Sequence, residues 1–490
     1  MPELPYRVVV GLEVHVQLLT RTKLFCGCGT AFGAPPNSQT CPVCLGLPGS
    51  LPVMNRKAFE LSLRAALALN CDIARFTKWD RKNYYYPDLP KNYQISQYDL
   101  PLGSEGWLEV ETGSGTKKVG IIRCHLEEDA GKLLHDEQGR GGDSLVDLNR
   151  TGTPLLEIVS KPELSSPEEA KVYLEEMALL MRELGVSDCE MQEGSLRCDA
   201  NVNVHVPQPG GGHAATPIVE IKNLNSFRFL ERAIRHEAQR QYEEWQRDKG
   251  YLFGKVSKAT AGWDDAYGRT VFQRRKEEAA DYRYFPDPDL APVVVDDAWL
   301  DRVRAEVGEL PSATRRRLAT QYGLSGYDVG VLTSLGRTTV RYFEETARVC
   351  SDPKAAANWI TNQLQGTLKD TGLSLEELPV TAARLGGLIS KQKEMGLGKQ
   401  AQAVYEKMLA DRVDAVEAIA ALGITVVADT GAVADIVRAA IAANPKAVAD
   451  YKNGKAAAAN AIKGAIMRQT KGSVRIDVVE RVLKEELDKA

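Results

Sequence analysis

Long apolar runs are missing from this chain of 490 residues. No window reaches about 18 uninterrupted apolar residues, which argues against a membrane span. The start, Met1-Pro-Glu-Leu-Pro-Tyr6, has no basic stretch leading into an apolar one, so no secretory signal is expected. Neither common phosphate-cradling loop occurs: there is no Gly-x-x-x-x-Gly-Lys-Ser/Thr and no strand followed by Gly-x-Gly-x-x-Gly and a helix. A Gly-x-Ser-x-Gly elbow is absent, as are a Cys-His glutaminase signature and a Gly/Ser-rich amidase signature. Charge of neither sign dominates. The net charge of −4 carries no global nucleic-acid signal, and leaves such a partner only local basic patches to meet. The nine cysteines are an odd number, and four of them fall in close pairs. That pattern suits a reducing compartment and a metal site better than a disulfide framework, and a cytoplasmic protein is expected.

What is there is ordinary in bulk and specific in detail. Apolar and charged contents of 43% and 26% fit a globular protein, and the length suggests about two to four domains. Gly, Pro, Tyr and alternating segments fill the chain up to about residue 294. Ala, Leu, Glu, Lys and Arg at helical spacing follow from about 297, with a boundary near Pro286–Pro292. A second split is expected near Asp411. Strands are expected at 6–18, 117–127, 144–149, 155–160, 196–206 and 217–223. A helix should start at Ser166-Pro-Glu-Glu169, a capping box, and stop at Gly185. Another should run from Ser226 to about Lys249, with Phe227, Leu230, Ile234 and Tyr242 inward. Gly139–Asp143 and Gly210–Gly212 read as surface turns.

The strand from Val8 to Gln17 is the most informative stretch. Val8, Val10, Leu12, Val14 and Val16 share one face, and Glu13, His15 and Gln17 share the other. Further strands repeat the pattern. Arg123, His125 and Glu127 share a face just before Glu128 and Asp129. Arg197, Asp199, Asn201, Asn203 and His205 form another polar face, and Glu220 and Lys222 a third. Converging, these faces would make a charged concavity able to hold Mg²⁺ and phosphates; apart, they are solvated sheet faces with ion pairs.

Three other constellations stand out. Cys26-Gly-Cys28 and Cys41-Pro-Val-Cys44 have the spacing of a closed Cys₄ zinc knuckle, a structural site; a redox pair or four free thiols is the alternative. Arg81-Lys-Asn-Tyr-Tyr-Tyr-Pro-Asp-Leu-Pro-Lys-Asn-Tyr-Gln94 interleaves aromatics with cations and amides. It could stack an unpaired base, or simply cover a core edge. From Lys446 to Arg475 seven cations face the lone acid Asp450, which would suit RNA phosphates or a solvated helix.

Long ordered motifs then carry a resemblance. Gly11–Val16, Asp80–Pro87, Tyr93–Gln97, His125–Lys132, Asp147–Ile158, Glu193–Asn201, Lys222–Phe227 and Asp281–Pro286 resemble the B subunits of the bacterial aspartyl/glutamyl-tRNA amidotransferases. Tyr451–Lys455 and Thr470–Gly472 extend it more thinly, and the tail departs from the family pattern at Ile462–Gly472. The resemblance implies an α+β fold: a large mixed, mainly antiparallel β cradle with helices at 1–294, with the Cys₄ knuckle at 26–44. A helical domain at 297–410 and a small tRNA-binding helical tail at 411–490 would follow.

It also implies a reaction. ATP phosphorylates the side-chain carboxylate of Glu-tRNA(Gln) or Asp-tRNA(Asn). Ammonia from a partner amidase (glutaminase) then displaces phosphate, in a heterotrimer completed by a small third protein. On the same ground Glu13, His15, Glu127 and Glu128 are expected at the Mg²⁺ and phosphoryl-transfer site, with His15 alternatively positioning substrate. Asp129, Arg197, Asp199 and Lys222 are expected to contact nucleotide or to support those ligands. Two rivals remain. One is the E subunits of the archaeal Glu-tRNA amidotransferases, which usually carry an inserted domain for which this chain has no room. The other is a non-catalytic, zinc-stabilised tRNA-binding scaffold.

Overall fold

A computed structural model describes residues 4–113, 115–134, 144–275, 282–424, 430–452, 455, 457–470, 474 and 476–489. The chain divides into two compact units, Met1–Ser312 and Ala313–Ala490. Both strands and helices build the first, and helices the second, which makes the protein α+β.

The elements that position the site lie in the first unit. In chain order they are β1 (Arg7–Gln17), α1 (Arg56–Ala68), β2 (Asp72–Ile73), β3 (Asp80–Asn83), β4 (Tyr93–Ser96), β5 (Gly103–Thr112), β6 (Gly115–Glu128) and β7 (Pro154–Ser160). Then come α2 (Pro167–Glu183), β8 (Leu196–Pro207), β9 (His213–Ala215), β10 (Val219–Lys222), α3 (Phe227–Arg247), β11 (Ala259–Asp264), β12 (Arg269–Arg275), β13 (Arg283–Pro286) and α4 (Asp297–Val307). One sheet runs β12-β11-β10-β8-β1-β7-β6-β5-β2, with β9 paired to β8, and β13-β3-β4 form a small second sheet. Pairing is antiparallel except between β10 and β11. The expected strands all appear within one or two residues of their predicted ends, the shortest being Leu145–Asp147 within 144–149.

Alternation decides which face is buried. Val10, Leu12, Val14 and Val16 are fully buried, and Val8 nearly so, while Glu13, His15 and Gln17 between them stay partly exposed. The apolar face joins one core with Tyr173, Leu174, Met177 and Met181 of α2 and Leu230, Ala233 and Ile234 of α3. Burying such side chains contributes roughly 1.5–3 kcal/mol each. Helix α2 starts where expected but with half of the capping box: Ser166 Oγ accepts from the Glu169 amide at 3.1 Å, while the Glu169 carboxylate accepts from the Ser165 amide rather than that of Ser166. Pro167 sits in the first turn, and Gly185 takes φ of +63° just past the end. Helix α3 is capped by Ser226 and ends at Arg247. Its inward stripe, Leu230 and Ile234, continues through two polar residues, Glu237 and Gln241. Gln241 Nε2 donates to the Val202 carbonyl at 3.0 Å, and Glu237 accepts from Arg240, so neither is buried unsatisfied. Phe227 and Tyr242 are only partly buried at the core's edge.

Two boundaries fall later than the sequence suggested. Helix α4 belongs to the first unit, because Leu300, Val303 and Val307 enter its core and Trp299 meets Phe59 with ring centroids 5.3 Å apart. The prolines at 286–292 therefore mark a turn inside the unit rather than its end. In the second unit, helix Ala415–Ala421 buries Ala415, Ala418 and Ile419 in the core that begins at Leu318, so the split lies beyond Asp411. A separate core runs from Val433 to Leu487. Gly210–Gly212 forms the β8–β9 turn with φ of +98°, +98° and +76°. Gly139–Asp143, Asp281, Gly454, Lys471, Gly472 and Arg475 lie outside the described residues. Among the described residues no helix is long and apolar enough to cross a membrane.

Candidate functional site

The polar face of the large sheet carries a cross-strand row. Arg197 on β8 pairs in register with His15 on β1, His15 with Glu157 on β7, and Glu157 with His125 on β6. Four strands thus place a guanidinium, two imidazoles and a carboxylate side by side. His15 Nε2 lies 3.4 Å from Glu157 Oε2, and His125 Nε2 lies 3.6 Å from the same oxygen. His125 Nε2 is also 3.4 Å from Glu127 Oε2, which accepts from Ser96 Oγ at 3.2 Å. Arg123 approaches the other oxygen of Glu157 at 3.5 Å. Burial alone would raise the Glu157 carboxyl, but the imidazoles of His125 and His15 and the Arg123 guanidinium hold it well below its usual range. Burial opposes protonation of His15, and Glu157 and Glu127 outweigh that and raise it.

Beside this row lies a second acidic group. Ligand atoms of Glu13, Asp199 and Glu220 fall within 4.8 Å of one another, as do those of His15, Glu127 and Glu157. Asn201 Nδ2 donates to Glu13 at 2.9 Å, Lys222 pairs with Asp199 and lies 3.1 Å from Glu220, and Thr260 Oγ1 donates to Glu220 at 3.1 Å. A cavity of about 160 Å³ opens between Glu13, Asn201, Glu220 and Lys258. Asp129 is buried at the end of β6, where Arg197 (2.6 Å) and Gln17 (2.7 Å) hold it and Arg150 stands 3.6 Å away. Burial would raise its carboxyl; the two arginines and Gln17 hold it below the usual range.

The expected quartet Glu13, His15, Glu127 and Glu128 is therefore not one cluster. Strand alternation sends Glu128 to the opposite side from Glu127, where it pairs with Lys91 and accepts from the Ile95 amide at 3.4 Å. Glu13 sits with Asp199 and Glu220, and His15 with Glu127. Glu157 is the residue that sequence reasoning passed over as a site member. It occupies Pro154–Ser160, every residue of which is buried, and a single acid in such a run was the available signal.

The cysteines do converge. Sulfurs of Cys26, Cys28, Cys41 and Cys44 lie within 4.8 Å of one another, a donor set that fits tetrahedral Zn²⁺. The loop is pinned from outside. Asn149 Nδ2 donates to the Pro35 carbonyl at 2.7 Å and its Oδ1 accepts from the Gln39 amide at 2.8 Å. Lys23 is completely buried, with Nζ 3.6 Å from Cys44 Sγ and 3.4 Å from the Leu148 carbonyl. Among the described residues no carboxylate pairs with it, so the cysteine cluster is its counter-charge. The hydrogen bond from Cys26, and Lys23 with it, lower the Cys44 thiol to about 4, while Cys26 is pushed up by the same bond. Lys23, Cys26, Cys44, Lys91 and Glu128 line one cavity of about 60 Å³, which places the knuckle against the back of β6. Cys71, Cys124, Cys189, Cys198 and Cys350 are buried separately, as packing residues.

The basic stretch near the end is partly compensated. Lys463 pairs with Glu480 at 2.7 Å and Lys455 with Asp450 at 3.0 Å.

Comparisons with known proteins name the family. Residues 8–301 match the family described as the GatB/GatE catalytic domain, and residues 341–487 match the GatB domain. The first match ends inside α4, close to the end of the first unit. The chain is similar to the aspartyl/glutamyl-tRNA(Asn/Gln) amidotransferase B subunit of Rhodopirellula baltica, at 50% identity over 94% of this chain and 93% of the relative. It is 48% identical to the proteins of the same name from Carboxydothermus hydrogenoformans, over 99% of both chains, and from Moorella thermoacetica, over 98% of this chain and all of the relative. The chain belongs to the B subunit family of the aspartyl/glutamyl-tRNA(Asn/Gln) amidotransferases.

Proposed function

We propose that this chain activates the side-chain carboxylate of misacylated Glu-tRNA(Gln) or Asp-tRNA(Asn) with ATP and amidates it, giving Gln-tRNA(Gln) or Asn-tRNA(Asn). Ammonia comes from a partner glutaminase, and a small third protein completes a heterotrimer. The observation that carries this reading is the pairing of two acidic groups on one sheet face, flanked by Arg197 and Lys222. A surface that only bound RNA would repel phosphates there, whereas a phosphate-transfer site needs carboxylates for its cation and cations for its phosphates.

Glu127, Glu157, Glu13, Asp199 and Glu220 offer the hard oxygens that would hold Mg²⁺, and the ion would spread the charge of a transferring phosphoryl group. His15 and His125 fix the Glu157 carboxylate from both sides, so its oxygens need little reorganisation. Arg197, steadied by Asp129, and Lys222, steadied by Asp199, present positive charge to nucleotide or acyl phosphate. Ammonia then attacks the acyl carbon. The C–O bond to phosphate breaks, and phosphate leaves with the electron pair and takes up the proton that nitrogen sheds. Cys26, Cys28, Cys41 and Cys44 would hold a structural Zn²⁺ whose thiolate charge Lys23 offsets.

The test is purification with the candidate amidase and the small third protein, and assay with ATP, glutamine and each misacylated tRNA. Amidated product on at least one tRNA is expected, and Glu13→Gln should lose it while tRNA binding survives. Absence of product on both tRNAs would overturn the reading.

A further inference from the structure

The small sheet β13-β3-β4 has a face that the reaction above does not use. Register puts Lys82 opposite Tyr284 and Gln94, so alternation places Lys82, Tyr84, Tyr282, Tyr284, Ser96 and Tyr98 on one side. Tyr98 stacks on Tyr284 with centroids 4.0 Å apart and planes 17° apart. Tyr84 meets Tyr282 edge-on at 5.6 Å, and Lys82 Nζ stands 5.0 Å from the Tyr282 ring and 5.9 Å from the Tyr84 ring. These rings are not core. Tyr98 is 60% exposed and Tyr282 37% exposed, a cost in exposed apolar surface that packing does not explain. The face also abuts the acidic centre: Ser96, from the same side of β4, donates to Glu127 at 3.2 Å. Burial, and next to it the Glu127 carboxylate, push the Tyr84 and Tyr284 hydroxyls up, which places both rings within electrostatic reach of Glu127.

We propose that this tyrosine face is the shelf on which the 3′-terminal purine of the aminoacyl-tRNA stacks, with Lys82 answering the adjoining backbone phosphate. The inference rests on the carboxylate-activation reading and adds where the substrate's end is held. Aromatic faces beside a cation bind unpaired bases without base pairing, which suits a nucleotide at a single-stranded end. The reacting carboxylate of an aminoacyl ester is tethered to the terminal base through one ribose, the ester and a short side chain, so a shelf joined to Glu127 through Ser96 is where that base would fall.

The experiment uses the full chain and a tRNA whose terminal adenosine is replaced by fluorescent 2-aminopurine. Stacking on the wild-type chain should quench the fluorophore. Tyr98→Leu and Tyr282→Leu should remove the quench and weaken tRNA binding about 10-fold or more, with Tyr282→Phe retaining both. In the amidation assay the leucine variants should raise KM for aminoacyl-tRNA and leave KM for ATP unchanged. Quenching and affinity kept by both leucine variants would overturn the shelf, as would a rise confined to KM for ATP. A wild-type chain that binds tRNA and amidates nothing would sink the functional reading while the quench still judges the shelf. A wild-type chain that binds no tRNA would overturn both.

Discussion

At the scale of single residues, Glu157 and Lys23 separate role from appearance. Glu157 is a buried acid in an apolar strand, yet it is the carboxylate that two imidazoles and a guanidinium converge on. Glu157→Gln keeps shape and removes the charge, so kcat for amidation should fall at least about 100-fold while the Kd for tRNA stays put. Steady-state kinetics beside a filter-binding titration would check this, and an unchanged kcat would remove Glu157 from the site. Lys23 is the reverse case, a cation with no carboxylate among the described residues. Cys44→Ser should abolish zinc retention and, by leaving that ammonium unpaired, destabilise the first unit by about 3–5 kcal/mol. Adding Lys23→Met should recover most of the loss, as urea midpoints would report; no recovery would mean the lysine is not balanced by the thiolates. Glu13 and His15 were legible in the sequence because they alternate with valines. Glu157 was not, because burial on both sides of β7 hides the period that marks a polar face.

At the scale of elements, local signals were the ones that read clearly. Helix α2 was legible from its cap, its proline and its glycine, and the structure adds why the cap holds. Glu169 accepts from the Ser165 amide at 2.8 Å and from its hydroxyl at 2.9 Å, and pairs with Lys117 of β6 at 2.7 Å. Burial would raise the Glu169 carboxyl; Lys117 and Ser165 outweigh it and lower it. A lowered carboxyl contributes stability above its unfolded value, near 4.5, and loses it as pH falls through the folded one. Glu169→Gln should thus cost about 1 kcal/mol at neutral pH, with the gap to wild type closing as the pH drops below 4.5. Chemical denaturation at several pH values would measure it, and a gap that does not change with pH would show that charge is not the cause. Pairing order, by contrast, was not legible. Nothing local says that β7 lies between β1 and β6, and only that placement brings Glu157 between His15 and His125.

At the scale of the molecule, separate cores set the boundaries. Composition marks where prolines cluster, but α4, beyond them, is amphipathic toward α1, and partner choice is a tertiary fact that periodicity does not carry. A chain ending at residue 312 should therefore unfold cooperatively on its own. One ending at 296 should melt lower, because Leu300, Val303 and Val307 leave the core exposed behind them. Calorimetry of the two decides, and equal melting temperatures would return the boundary to the proline cluster. The strands with one apolar and one polar face, the two helices α2 and α3 and the helical second unit were visible in outline from alternation and helical spacing, whereas the mixed sheet was implied by the family resemblance.

The row Arg197–His15–Glu157–His125 has a consequence in time. Its members come from four strands that are far apart in the sequence, and each faces the site only at one register. A slip of one residue would turn that strand's polar members into the core, so a nearly zipped sheet is as inactive as an unfolded one. Helices form early and locally, whereas such long-range pairing is slow. During refolding, far-ultraviolet dichroism should recover first and amidation last, in step with amide protection of β1 and β7. Activity is thus a clock for the final closing of the sheet.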